Sequence, residues 1–282
     1  MYNIVTPETE AKLKFATEGT LRDFYPQLSI RNNQINQITK TIDFINSQTK
    51  SECISDDCIK LLQLKKVSEY YMLITILHLD LSVIVNLFMN GKSDYEKLFA
   101  LKQGIVIINE GYKKIFSFVT TNKDGSPNYT QRNNSFWYQD IRTIVEKFPK
   151  LNSKFEIITQ QLDDYFTTSF DSIKEIRDLT VHYDRNPVKF YEMLQTLETE
   201  KIFIKLTGFV NIISKMYPFI VHTISEMDDE IKKKNAETNM SFQSQIAHLE
   251  GLCDSKIKDK SMKQSMIESI NKMKKIMDLK VE

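Results

Sequence analysis

Residues 174–187 read Lys-Glu-Ile-Arg-Asp-Leu-Thr-Val-His-Tyr-Asp-Arg-Asn-Pro and hold the chain's most chemically suggestive grouping. Asp178 and His182 are four residues apart, so on a helix they share one face. A carboxylate so placed can orient an imidazole and hold its proton. The helix C-terminus expected before Asn186-Pro187 also favours a protonated His182. Arg177 has no acidic residue three or four positions away on either side. It lies about 50° from the centre of the apolar stripe on an ideal helical wheel, so its guanidinium needs acceptors from another element. Arg177 and His182 are about 140° apart on one straight helix and do not face each other. Three arrangements would bring them together: a break before His182, an extended arginine, or a two-fold dimer that unites two such pairs.

Four apolar-striped helices are expected to position this group. The first, about 55–90, carries Val67, Tyr70, Ile74, Leu77, Leu81, Ile84 and Phe88 in a 3-4 heptad seam. Asn90-Gly91 stops it, and the Ser93-x-x-Glu96 capping box starts a second helix, about 93–119. That seam runs Leu98, Leu101, Ile105, Ile108, Tyr112, Ile115 and Val119. The short connection implies an antiparallel pair. A polar loop is expected at 120–134, then a short helix over 135–148 ending at Pro149. Ser153-x-x-Glu156 is expected to cap a third helix, about 153–184, and the fourth runs about 199–216. Upstream, Thr6-Pro7 reads as a helix start and Pro26 as the end of a first helix, followed by an isoleucine-spaced one.

The expected fold is all-α: an up-and-down four-helix bundle with helical extensions at both ends. Its segments are an N-terminal piece 1–52, a bundle 53–220 and a C-terminal extension 221–282, whose last helix has a Met-rich stripe. Composition agrees. Seven glycines and six prolines in 282 residues are too few for a sheet protein rich in turns. A net charge of +1 excludes a strongly basic nucleic-acid-coating protein and an acidic tail protein. Three cysteines, Cys53, Cys58 and Cys253, fit reduced thiols in a cytosol, and no histidine lies near the first two. The N-terminus reads as no signal peptide. The apolar stretch 71–89 contains His78, Asp80 and Asn86, and reads as a buried helix rather than a membrane span.

The R-polar-x3-H pattern of Arg177, Asp178 and His182, continued by Tyr183, Asp184 and Pro187, resembles the HEPN (higher eukaryotes and prokaryotes nucleotide-binding) superfamily of small helical bundles. The resemblance covers about 55–218. It implies a cytoplasmic, metal-independent endoribonuclease with no cofactor, of the kind used in toxin–antitoxin or anti-phage systems. His182 would be the general acid or base at a ribose 2′-hydroxyl, Arg177 the stabiliser of phosphate charge, and Asp178 the residue that sets the imidazole tautomer. It implies a homodimer with a composite cleft, RNA or a nucleotide as ligand, an antitoxin or nucleotidyltransferase as protein partner, and no membrane. The alternative is a non-catalytic nucleotide- or RNA-binding or protein-interaction module. Local charge favours that alternative: residues 163–192 hold seven acids against four bases, and RNA affinity comes largely from neutralising phosphates.

Other groups are weaker. Glu110 with Lys113 and Lys114 reads as a surface pair. His78 and Asp80 point to opposite sides of their helix. Trp137, Tyr138 and Arg142 could stack a base, but an aromatic short helix is more often core. The sequence has no Gly-rich phosphate loop, serine elbow or metal-ligand cluster.

Overall fold

The computed structural model describes residues 6–48, 56–170, 173–174, 176–178, 187–196, 198–256 and 260–278. The fold is all-α. The chain divides into two compact units, Met1–Ile224 and Ser225–Glu282. The first takes in the N-terminal segment that the sequence sets apart.

Helix α1 spans Pro7–Gln48. Thr6 caps it: its Oγ1 accepts the Thr9 N–H at 3.3 Å, and Pro7 fills the first helical position. The expected stop at Pro26 does not occur, and α1 continues through it. A mid-helix proline removes one backbone hydrogen bond and costs about 3 kcal/mol. Side chains on both sides of Pro26 pack against the rest of the unit, and that packing holds the helix together.

Helix α2, Asp56–Asn90, buries every residue of its expected seam. Helix α3, Asp94–Ile115, starts as expected: Ser93 Oγ accepts the Glu96 N–H at 3.2 Å, and Glu96 Oε2 accepts those of Ser93 and Lys92 at 2.9 and 2.6 Å. These backbone donors hold the Glu96 carboxyl below its ordinary pKa. α2 and α3 run antiparallel, with Gly104 against Ile84 and Gly111 against Leu77. α3 ends four residues before the expected Val119. Ser117 adopts φ 62, in the left-handed region, which breaks the helix and turns Phe116 into the core.

The expected polar loop contains a two-stranded antiparallel pair, β1 (Thr120–Thr121) with β2 (Pro127–Asn128), closed by a turn in which Gly125 takes φ 83. A single turn, α4 (Thr130–Asn133), follows. The expected short helix is a π turn at Trp137–Ile141 joined to α5, Arg142–Val145. Helix α6 spans Pro149–Tyr165 and passes into a second π turn, Phe166–Phe170. α6 therefore begins before Ser153-x-x-Glu156. Pro149 has its φ preset for a helix start and no N–H to leave unpaired, so it serves as the first helical residue rather than a terminator. Then come α7, Pro187–Thr196, α8, Thr199–Lys256, and α9, Lys260–Asp278. α8 runs through the expected boundary near 216–221 with Pro218 inside it.

Trp137 lies at the centre of the core. It stacks on Phe155 with centroids 4.9 Å apart, and its Nε1 donates to Thr159 Oγ1 at 2.8 Å. Gly104 lets α3 approach both α2 and α8. A methyl there would lie 2.9 Å from Leu206 Cδ1 and 3.0 Å from Ile84 Cγ2. Gly19, in α1, has open space around it. Gly19→Ala is therefore expected to stabilise by about 0.5–1 kcal/mol, as for an ordinary helical glycine. Gly104→Ala is expected to destabilise by about 1–2 kcal/mol through overpacking. Urea denaturation of both variants checks this, and a Gly104→Ala chain as stable as the parent would contradict it.

Candidate functional site

Arg177 lies in the described helical stretch 176–178, and its side chain is 28% exposed. Its Nη2 donates to Glu110 Oε1 of α3 at 3.2 Å, and its Nη1 donates to Asp178 Oδ1 at 2.8 Å. Glu110 thus supplies the acceptor from another element that the helical wheel demanded. The same Oε1 accepts from Asn109 Nδ2 at 3.1 Å, which fixes the carboxylate on its own helix. Glu110 turns to Arg177 and not to the lysines one turn along. The hydrogen bond that Arg177 donates to Asp178, with the charges of Asp178 and Glu110, raises the guanidinium's pKa further.

The arrangement therefore presents a permanently charged, partly exposed guanidinium anchored on two carboxylates. One Asp178 oxygen is committed to Arg177. His182, with Tyr183 and Asp184, lies outside the described residues. So does Cys53. Cys58 and Cys253 are buried, and their thiols donate to Asn46 Oδ1 at 3.7 Å and to the Lys263 carbonyl at 3.8 Å.

Of the possible stacking group, Trp137 is fully buried and belongs to the core. Arg142 pairs with Glu146 at 3.2 Å, one turn along.

A second guanidinium cluster has almost no signature in the sequence. Arg132, from α4 in the expected polar loop, is 3% exposed. Its Nη1 pairs with Asp163 Oδ1 of α6, and its Nη2 donates to the Tyr112 hydroxyl of α3 at 2.9 Å. Tyr112 donates in turn to the Leu162 carbonyl at 3.2 Å. The guanidinium lies 4.1 Å from the Phe116 ring centroid and 5.2 Å from that of Phe166. Burial pushes the Asp163 carboxyl above its ordinary pKa, and the Arg132 charge pulls it back only in part. Burial likewise raises the Tyr112 phenol far above its ordinary range, so it stays a neutral donor. The cluster clips the 116–136 segment onto α3 and α6. Its only sequence signal is one arginine within a polar stretch, which fits a solvated residue equally well.

No protein-family model, curated protein or solved structure matches this chain.

Arg132→Ala should cost about 2–4 kcal/mol, because it strands a half-buried carboxylate and a buried hydroxyl bond. Arg132→Lys should recover less than half, since an ammonium cannot fork to Asp163 and Tyr112 while stacking on Phe116. Chemical denaturation reads both values. A loss under 1 kcal/mol for Arg132→Ala would show that the clip contributes little.

Proposed function

We propose that this chain is a HEPN-like, metal-independent endoribonuclease working as a cytoplasmic homodimer, with Arg177, Asp178 and His182 as its site. The observation that carries the reading is the Arg177 guanidinium. It is partly exposed, it is held across to α3 by Glu110, and it stands five residues before His182 on an all-α scaffold.

In this reading His182 removes the proton from a ribose 2′-hydroxyl, and that oxygen attacks the adjacent phosphorus. The bond from phosphorus to the 5′-oxygen breaks. The leaving oxygen takes up a proton, and the products are a 2′,3′-cyclic phosphate and a 5′-hydroxyl. Arg177 stabilises the extra negative charge on the non-bridging oxygens. Asp178 keeps one carboxylate oxygen for the imidazole while the other holds Arg177. The roughly 140° between Arg177 and His182 on a regular helix favours a composite site across a two-fold axis. An antitoxin or a nucleotidyltransferase is the protein partner in the toxin–antitoxin or anti-phage setting that this reading entails.

A second reading rests on the same guanidinium. Two carboxylates already occupy its donors, in a segment with seven acids and four bases. That favours a non-catalytic helical module in which Arg177 ties the 173–178 stretch to α3.

The two readings separate in one assay. Wild type, His182→Ala and Arg177→Ala are incubated with a structured RNA in EDTA. The ribonuclease reading expects cleavage by wild type, loss of at least a hundredfold in each variant, and cyclic phosphate ends. Equal background from all three chains leaves the interaction module, and inhibition by EDTA overturns the metal-free mechanism. Light scattering at micromolar concentration is expected to give a dimer; a monomer that still cleaves RNA would remove the composite site and keep the activity.

A further inference from the structure

α1 is held unevenly along its length. Its C-terminal half buries Ile35 and Ile42. Its N-terminal half buries Thr17 and Thr20, whose hydroxyls donate back to the Lys14 and Ala16 carbonyls of α1 at 3.0 and 2.9 Å. Among the described residues those hydroxyls add no hydrogen bond to any other element. An aromatic anchor of this half is Phe24, whose ring meets Tyr217 of α8 edge-on at 4.3 Å and lies 5.4 Å from the ring of His78 on α2. Pro26 follows two residues later. Without its N–H the Arg22 carbonyl loses its helical donor, and a proline of this kind is where helices bend.

His78 beneath Phe24 is 8% exposed. Its Nε2 is 3.3 Å from Ser214 Oγ, and that hydroxyl donates to the Val210 carbonyl at 2.9 Å. Ser214 Oγ therefore accepts from His78, which assigns the proton of the neutral ring to Nε2. Nδ1 is buried and has no hydrogen-bond partner among the described residues. A second proton would sit on Nδ1 facing no acceptor. The other ionisable groups of this region give it little help. From α1, Arg31 lies over the Tyr71 ring at 4.3 Å, while Arg22 and Asp23 pair with one another in solvent. Tyr71 of α2 and Tyr217 of α8 hydrogen-bond to each other. Asp80 is about 200° away around α2.

We infer that the N-terminal half of α1, residues 7–25, is a proton-released strap that pivots at Pro26 and lifts from α2 and α8 when His78 takes up a proton. Burial holds the docked imidazole below its ordinary pKa. In the lifted form Phe24 no longer covers the ring, and the value returns toward about 6.5. The lifted form then binds more protons between the two values, so docking weakens as pH falls through that window. For a single proton, the docking equilibrium drops up to about tenfold between roughly pH 7.5 and 5.5. The Ile35–Ile42 half stays in place, because its Arg31 and Asn46 meet Tyr71 and Cys58 rather than His78. The device does not depend on the ribonuclease reading.

Hydrogen exchange of the full chain, corrected for the intrinsic pH dependence of exchange, tests it. Amides of residues 13–25 should lose protection from pH 7.5 to 5.5, by at most about tenfold for a single proton, while those of 35–45 hold theirs. His78→Phe and His78→Asn should both abolish the difference, and either variant that folds suffices. Equal protection at the two pH values overturns the proposal. So does an equal loss in 35–45, which would mean global unfolding, or an undiminished loss in both variants.

Discussion

The burial of α2 is the constraint on which the rest of the first unit depends. Its seam of Val67 to Phe88 is only part of its apolar surface, and several segments are needed to cover the remainder. α3 closes on it at Gly104 and Gly111, where a side chain would collide with Ile84 or Leu77. α8 meets it through Phe203 on Phe88, Tyr217 on Tyr71 and Ser214 on His78. The segment after the hairpin stacks Phe136 on Tyr70 and pairs Asp140 with Lys66 at 2.5 Å. By length and composition alone both α2 and α8 could cross a membrane. In α2 more than half of the most apolar stretch is spent on these neighbours.

That constraint explains which parts of the fold were legible in the sequence. A seam repeating at 3-4 spacing states which face is buried whatever lies opposite, so α2 and α3 were readable to within a few residues. The Ser93–Glu96 box was readable because both of its hydrogen bonds are local. Prolines were not. Pro26, Pro149 and Pro218 are one residue type in three settings, two tolerated inside long helices and one starting a helix. What decides between break and tolerance is packing on either side, and that is non-local. The Ser153-x-x-Glu156 pattern failed for the same reason, since Pro149 had already nucleated α6.

The π turns were also invisible, and they bear on the site. Each inserts the equivalent of one extra residue in a turn and rotates everything downstream by about 100°. The turn at Phe166–Phe170 lies between the α6 seam and Arg177. A wheel drawn on a regular helix correctly required a distant acceptor for Arg177. It could not name Glu110, because the angle at which the 173–178 stretch faces α3 is set after that rotation. The Arg132 clip was hidden more deeply. Its partners Tyr112 and Asp163 are 20 and 31 residues away in the chain, and nothing local marks the arginine as buried.

The two guanidinium clusters differ in what they leave available. Arg132 is enclosed by rings and matched to one half-exposed carboxylate, which suits a structural tie. Arg177 is partly exposed and pairs with at least two carboxylates, those of Glu110 and Asp178. A phosphate approaching Arg177 must displace or share one of them, at a cost of about 1.5–3 kcal/mol for each charge-assisted bond lost. A two-fold partner would add a second acidic segment rather than relieve the first. On the ribonuclease reading, then, phosphate attraction near Arg177 does not provide affinity, and the RNA must be held by contacts away from the motif. The carboxylates would serve to keep the guanidinium oriented until charge develops on the phosphate. On that reading a dianionic transition state would compete for Arg177 better than a monoanionic phosphodiester does, which would place the stabilisation where it accelerates the step.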